Sequence, residues 1–570
     1  MLLSQANPLY GVSAGLRFKG SVTMKRRPQL KVLPIAATIL ALTLATACGN
    51  AGSTKDAAKD STAPASSVSK DPVKVTLWTP MNPNAKAVVK SLNELPMVKE
   101  WAKKTNVTFD FQHSSGNTPQ DDVQQYGVMV ASNNLPDSML WNWNSVQGGT
   151  SKMFKDGTII KLNDLIEKNA PNLKKIMDAN PQIAKQIKAD NGDIYAMPHL
   201  KVGQYGQYKT FSGMVIRQDW LDELGLKSPE TIDEWETVLK AFKEKKGTIP
   251  FTLNKSYPMS FADFAGAYGV AGMSTIANAN SFYLDNGKVK FGPTQPEFKQ
   301  YLTTMQRWYK EGLIDPDFAS NDTKTMDAKV TSGKAGAFYG FIGGSIGTYT
   351  PALQKTDPKA KLSAVQYPVL KKGDEPKFVQ ASWEYDNIGT VITSANKHAA
   401  ETIKALDYLY SEEGAMLKNF GIDGQTYTKV DGQPKYTDLI LKNPDNLPIS
   451  QAMAKYFIAN YGFSGLDDDR YNDQYYQLPA QKDAVKLYAK YANNAYKVIL
   501  PPVVLSTDEA KESAKILNDV STLLTEQITK IVMGAAKVED YDKTVEQVKK
   551  MNMDRAVEIY QAATDRYNKR

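Results

Sequence analysis

From Val73 to Leu77 apolar and polar residues alternate, Val73-Lys74-Val75-Thr76-Leu77, and Trp78 closes the run. This is the period-two pattern of a half-buried strand. Beyond a Pro80–Asn84 loop, Ala85, Val88, Val89 and Leu92 recur at helical spacing, so the folded part opens as strand then helix. Val107-Thr108-Phe109-Asp110-Phe111 predicts a second strand and Val123 to Ala131 a helix; Ser138-Met139-Leu140-Trp141, after Leu135-Pro136-Asp137, predicts a short buried strand. Alternating strands and helices imply a doubly wound sheet whose sites lie at the carboxyl ends of its strands. Met214-Val215-Ile216 continues the pattern, and a helix over Trp220–Leu224 should stop at Gly225. Thr231 with Glu234 three residues on predicts a capped helix start. Helical periodicity from Asp508 to Met533 and from Val545 to Arg566 makes the C-terminal part mostly α. There is no internal repeat and no heptad array long enough for a coiled coil.

The chain has 570 residues, too many for one hydrophobic core, and 42% hydrophobic against 23% charged residues is a globular composition. Its charge of +8 is largely N-terminal, because residues 1–47 hold six of the 69 basic residues and none of the 61 acidic ones. The remainder is nearly balanced, which gives nucleic acid little to bind. Lys25, Arg26, Arg27 and Lys31 precede an uncharged run from Val32 to Ala47, the layout of an export signal and short for a membrane span. Met24 is the natural start of that signal, with residues 1–23 an upstream extension. Cys48, the only cysteine, follows Ala45-Thr46-Ala47 and precedes Gly49. This resembles the lipobox of bacterial lipoproteins, with Ala45 where leucine is usual, and implies lipid on the Cys48 thiol. Residues 48–72, rich in Ser, Ala, Asp and Lys, read as a flexible tether.

Catalytic constellations are poorly supplied. His113, His199 and His398 are scattered, no G-x-S-x-G elbow occurs, and no cysteine is free once Cys48 carries lipid. The glycine cluster Gly340–Gly347 lacks the G-K-[ST] ending of a phosphate loop. Asp467–Asp473 lacks the glycine of a calcium loop and reads as a solvated loop. Carboxylate pairs at glycosidase spacing stay open, since the fold sets their separation. No cofactor is indicated.

Rings, amides and carboxylates do mix in predicted loops and strand ends. Trp141 and Trp143 flank Asn142; Tyr205 and Tyr208 lie in a Gly-Gln-rich loop; Tyr339 and Phe341 end one strand; and Trp383, Glu384, Tyr385 and Asp386 are consecutive. Rings offer flat apolar area to the C–H face of a sugar while amides and carboxylates bond its hydroxyls. Trp101, Trp220, Trp235 and Trp308, at helical spacing from Leu or Phe, read as core.

Six stretches, taken with the lipoprotein signal, carry a family resemblance. They are Pro80-Met81-Asn82-Pro83-Asn84 after the Trp-ended strand, Leu135-Pro136-Asp137 before a buried strand, Gly192 to Pro198, Ile216 to Leu226, Trp308 to Pro316, and Ile559 to Tyr567. In this order the chain resembles the extracellular solute-binding lipoproteins of bacterial ABC importers, in the LipO-like branch of sugar-binding family 1. That resemblance implies a two-lobe, type II periplasmic-binding-protein-like α/β fold. Its hinge-linked, doubly wound lobes close on ligand, and its C-terminal region is helical. It implies residues 73–198 in lobe 1, 199–335 in lobe 2, 336–388 back in lobe 1, and 389–570 in lobe 2 with the C-terminal helices. By position it carries ligand contacts to Trp141, Asn82 and Asn144, and the expected crossings bring Tyr205, Tyr339, Trp383, Glu384 and Tyr385 to the cleft.

Some large relatives carry a calcium loop before an Ile-Pro; here Lys243 to Pro250 is short and basic, so no metal is expected there. The implied function is a monomeric, lipid-anchored, non-enzymatic receptor on the outer face of the cytoplasmic membrane, passing an oligosaccharide to ABC permease subunits. Two alternatives remain open from sequence: a secreted carbohydrate-active enzyme using Glu384 and Asp386, and a sensor or adhesin of the same fold.

Overall fold

The computed structural model describes residues 72–570 apart from 117–118, 147, 203–209, 256–263, 273–280 and 460–461. The export signal, Cys48, most of the tether, Tyr205 and Tyr208 lie outside the described residues. Fourteen strands are present among the described residues. Six form the first sheet: β1 (Val73–Thr79), β2 (Val107–His113), β3 (Ser138–Asn142), β4 (Met197–Leu200), β11 (Ile388–Ile392) and β14 (Gly465–Leu466), in the order β14-β4-β11-β3-β1-β2. β1 runs parallel to both neighbours, with Val75 opposite Phe109 and Leu77 opposite Ser138, while β11 is antiparallel to β3 and β4. The second sheet, in the order β10-β5-β9-β6, uses β5 (Ser212–Arg217), β6 (Ile249–Thr252), β9 (Ala335–Phe341) and β10 (Leu362–Val365). Two hairpins complete the set, β7 (Phe282–Asp285) with β8 (Lys288–Phe291), and β12 (Tyr427–Val430) with β13 (Gln433–Tyr436).

Strand alternation sorts side chains between cores. In β5, Met214 and Ile216 enter the second lobe's core with Trp235, Phe251 and Trp308, while Val215 faces the other way. In the first sheet Val75, Leu77, Phe109 and Leu140 enter the large core, while Trp78, Met139 and Val391 form a small cluster on the opposite face. The four tryptophans predicted as core are buried: Trp101, Trp235 and Trp308 fully, Trp220 nearly so.

Several local predictions hold for stated reasons. Thr231 Oγ1 accepts the Glu234 amide at 3.2 Å and Glu234 returns a bond to the Thr231 amide, starting the helix Ile232–Lys246. The helix Gln218–Leu224 ends at Gly225, whose φ of 64° is left-handed. Others fail locally. The helix expected through Leu92 is cut to Pro83–Lys86, since Ser91 caps a short turn and Pro96 opens a new helix, Pro96–Thr105. The stretch Val545–Arg566 is two helices, Tyr541–Lys550 and Met553–Lys569, parted by Asn552 at φ 66°.

The chain path differs most from expectation. β9 is wholly internal, paired on both sides by β5 and β6, so residues 336–365 stay in lobe 2. The return comes between β10 and β11, and residues 388–466 belong to lobe 1. A third crossing follows β14: the helix Pro479–Ala489 sits on lobe 2, where Gln481 donates to Ile342 O at 2.9 Å and Tyr488 donates to Met214 O at 2.7 Å. Pairing partners distant in sequence, which no local pattern reveals, decide this path.

The glycine cluster is a packing device. A Cβ on Gly343 would lie 2.4 Å from the Tyr475 ring and one on Gly347 would lie 2.5 Å from Gln481, so only glycine lets this turn dock there. Asp467–Asp469 is not a solvated loop. Asp467 lies 2.8 Å from His199 Nε2 and 2.5 Å from Lys418 Nζ, and Asp468 pairs with Arg470. The Lys418 ammonium is fully buried. Burial pushes the His199 imidazole below its usual range, while His199 and Lys418 hold the Asp467 carboxyl well below its own. These groups tie β4 to the segment after β14, where two crossings leave lobe 1.

Candidate functional site

The carboxyl edge of the first sheet gathers rings. Trp141, at the end of β3, shares a face with Trp78 and Met139, because Trp78 and Met139 are register partners and Trp141 is two residues on. Its ring meets Trp78 at 5.6 Å, Tyr126 at 5.9 Å and Trp143 at 6.3 Å, the first and last edge to face. Trp78, Tyr126 and Trp143 are buried, and Trp141 is half-exposed, so three rings brace one that faces out. Burial raises the Tyr126 phenol to about 12, which keeps it neutral.

Next to this cluster, a groove of about 680 Å³ runs between the edge strand β2 and the helix Pro119–Ala131. Trp78, Gln112, Asp121, Gln124, Gln125 and Val128 contribute to its lining. Gln125 is oriented by Ser115, whose amide it accepts at 3.0 Å and whose hydroxyl it bonds at 3.1 Å.

From the same edge a line of contacts reaches the second lobe. Asn144, exposed, donates to Asp386 O at 3.4 Å and accepts from Asn387 at 2.9 Å. The Asp386 carboxylate pairs with Lys201 at 3.2 Å, and the Lys201 ammonium lies 6.0 Å from the Phe211 ring centroid. Phe211 stacks on Phe341 with centroids 6.0 Å apart and an 11° interplanar angle, and its amide donates to Gln380 at 2.7 Å. Lys201 and Asp386 stand on two different crossings, so this line marks the seam where the lobes join.

The other predicted site residues divide plainly. Trp143 is 2% exposed and donates to Gly389 O at 2.8 Å, so it supports Trp141 instead of meeting a ligand. Tyr339 is buried, its hydroxyl 2.6 Å from Ser212, because β9 is a central strand. Tyr385 is buried too, its amide held by Gln186 at 3.0 Å. Trp383 is half-buried, bonds Leu500 O at 2.9 Å and packs on Tyr496. Glu384 accepts from Gln186 at 2.7 Å. With Asp386 bound to Lys201, both members of the carboxylate pair suspected of catalysis are engaged by neighbouring side chains. Asn82 is half-buried and accepts the Asn84 amide at 2.9 Å, closing the turn after β1.

Sequence reasoning missed Tyr126, Gln112, Gln124, Gln125, Lys201 and Phe211. The helical residues carry no signal beyond periodicity, and Lys201 and Phe211 become relevant only when the crossings are known. Among the described residues no group of three or more His, Cys, Asp or Glu side chains could hold a metal ion. No helix among them is long and apolar enough to cross a membrane.

The profile of the family described as bacterial extracellular solute-binding protein matches residues 92–416. This chain belongs to that family. It is 27% identical over 368 residues to the fructooligosaccharide ABC transporter substrate-binding protein FusA of Streptococcus pneumoniae, covering 61% of this chain and 63% of FusA. It is 27% identical over 448 residues to lipoprotein LipO of Bacillus subtilis, covering 76% of this chain and 80% of LipO. Among solved structures, alginate-binding protein AlgQ2 without calcium superposes with a TM-score of 0.71 at 26% identity, over 87% of this chain and 99% of AlgQ2. The solute-binding protein thus has the two-lobe α/β architecture of its relatives.

Proposed function

We propose that this solute-binding protein captures an oligosaccharide between its lobes and delivers it to the permease of a bacterial ABC importer, without chemical change to the sugar. The observation that carries this reading is the half-exposed Trp141 ring, braced by three buried rings at the carboxyl edge of the first sheet. Such a platform takes the C–H face of a sugar, and Asn144 at the same edge bonds hydroxyls. The Phe211–Phe341 stack offers the opposing surface from lobe 2. Trp383, Glu384 and Asp386 set the hinge. The names of relatives span a neutral fructooligosaccharide and the polyanion alginate, so family membership leaves the charge of the cargo open.

Cys48, at the end of the export signal, carries the diacylglyceryl and palmitoyl groups that hold the receptor, as a monomer, at the outer face of the cytoplasmic membrane. A Cys48→Ala chain should then appear in the culture medium, and its retention in the membrane fraction would refute the anchor.

The test is calorimetric titration of the full chain with an oligosaccharide panel, with amino acids and peptides as controls, and chromatography of the recovered sugar. Binding with intact sugar recovered is the expected result. Hydrolysis products, or binding of a peptide with a silent sugar panel, would overturn it.

A further inference from the structure

We propose that the end of the helix Met553–Lys569 and the turn after the helix Pro181–Ile187 form a charged clasp that fixes the angle between the lobes beside the hinge. This clasp is independent of the cargo.

Its two sides belong to different lobes. On lobe 1, Ala189 packs in the small cluster with Met139 and Val391 of the first sheet, and its amide donates to Asp193 O at 2.8 Å, so Asp190 lies in a closed turn. On lobe 2, the helix Met553–Lys569 sends Met553, Ala556 and Tyr560 into the core with Trp235 and Trp308, and the Tyr560 ring stacks on Phe282 at 4.3 Å. Between these anchors the Asp190 carboxylate takes two guanidinium groups, with Arg566 Nε at 2.5 Å and Arg570 Nε at 2.9 Å.

Both arginines are held by more than that one acid. Arg566 donates to the two oxygens of Glu509, at 2.6 and 2.8 Å, in the first turn of the helix Thr507–Val532. Arg570, only 8% exposed, also donates to Lys185 O at 3.2 Å and Lys188 O at 2.5 Å, carbonyls at the end of the helix Pro181–Ile187 where helical partners run out. The Tyr567 ring receives a cation from each lobe, with Lys185 Nζ at 4.7 Å and the Arg570 guanidinium at 5.0 Å from its centroid. An isolated exposed ion pair adds little, but a nearly buried guanidinium bonded on several sides is costly to release.

The place of the clasp gives it its effect. Gln186, next to Lys185, donates to Glu384 at 2.7 Å and accepts the Tyr385 amide at 3.0 Å, and both partners stand on the return crossing. A rotation of the lobes displaces an atom in proportion to its distance from the axis, so a contact this near a crossing survives small rotations and opposes twist. The clasp is thus a non-covalent link beside the three chain crossings. For any ligand that touches both lobes, the population of lobe angles enters the apparent affinity.

The experiment needs no ligand. The full chain carrying Cys48→Ala, Val128→Cys and Met533→Cys takes one nitroxide label on each lobe, at positions 63% and 44% exposed, and pulsed dipolar spectroscopy reads the distribution of lobe-to-lobe distances. The parent should give a narrow distribution. Asp190→Asn and Arg570→Gln should each broaden it, raising the share of other distances about tenfold, as loss of one partner of a hydrogen-bonded charge pair does. The double variant should be no broader than either single one, and Asp190→Glu should stay narrow. Glu512→Gln, which removes a 3.0 Å pair with Arg555 inside lobe 2, should leave the distribution unchanged. Unchanged distributions in both Asp190→Asn and Arg570→Gln would overturn the clasp even if the melting temperature fell, because the contact would then brace only its own helices. Equal broadening by Glu512→Gln, or a parent that is already broad, would overturn it as well.

Discussion

The two lobes share a layered α/β plan but use their aromatic and charged residues differently. In lobe 2, Trp235, Phe251, Phe264 and Trp308 meet edge to face at 5.1–6.4 Å and are all buried, deep beneath the sheet. In lobe 1 an equally dense set, Trp78, Tyr126, Trp141 and Trp143, stands at the sheet's carboxyl edge, and one ring is left half-exposed. Charges divide the same way. Lobe 2 buries Asp315 completely, with Lys329 at 2.8 and 2.9 Å, Thr252 at 2.7 Å and Asn321 at 2.9 Å satisfying its oxygens. At the lobe seam, Lys201 and Asp386 keep part of their surface in solvent. Residue type alone therefore does not separate scaffold from site; position relative to the sheet edge does.

The sharpest way to break this contrast is to remove the charge partner in lobe 2. Lys329→Met strands the Asp315 carboxylate in the interior and should cost about 3–5 kcal/mol. At about 2–4 °C per kcal/mol for a domain of this size, thermal unfolding should drop by roughly 6–20 °C, with ligand affinity measured below the transition unchanged. A drop under 3 °C would show that Asp315 finds water or another partner.

Trp141→Ala should do the reverse. Loss of an aromatic anchor costs about 2 kcal/mol or more of binding, some thirtyfold in Kd, with a much smaller stability change. Trp143→Phe should instead destabilise by about 1–3 kcal/mol, because Gly389 O loses its buried donor. If Trp143→Phe weakens sugar binding as much as Trp141→Ala, the division between platform and support is wrong.

In lobe 1, at the base of two crossings, pH should act through His199 and Asp467. The folded state keeps His199 neutral below its usual pKa, whereas the unfolded chain takes up that proton near pH 6.5. Stability should therefore fall as pH drops below about 6.5, by at most about 1.4 kcal/mol per unit from this one group. Asp467 is held ionised, so its stabilisation, fully present above about pH 4, disappears as pH falls further. Denaturant titrations of wild type and His199→Gln between pH 7 and 5 check the first part: the variant should lose the slope, and an unchanged slope would assign it elsewhere.

The smallest expected effect concerns the basic stretch Lys243–Pro250. Two of its lysines already have partners, Lys243 with Glu311 O and Lys246 with Glu223. Adding a calcium chelator should leave the melting temperature unchanged, and a large fall would reveal a metal site.

Elements whose signals are local are legible in the sequence in both lobes. In lobe 1 Val73–Leu77 alternates; in lobe 2 Thr231 and Glu234 mark a helix start three residues apart, and Gly225 marks a stop. Trp141 was also legible, as a ring following a strand. What stayed hidden depends on partners far away in the chain. Tyr339 and Tyr385 looked like binding residues, yet β9 is enclosed by β5 and β6, and the Tyr385 amide is held by Gln186, 199 positions away. Asp467 looked solvated until His199 and Lys418 were found beside it.

By itself, then, the amino-acid sequence determined the order of strands and helices, the helix stops and the supply of rings and amides, since these follow from backbone preference and side-chain chemistry over a few residues. The tertiary structure decided which lobe each strand joins, where the chain crosses, and which rings remain at the surface. Those outcomes turn on strand pairing and burial across hundreds of residues. Exposure is a property of neighbours, and neighbours are set only when the whole chain has packed.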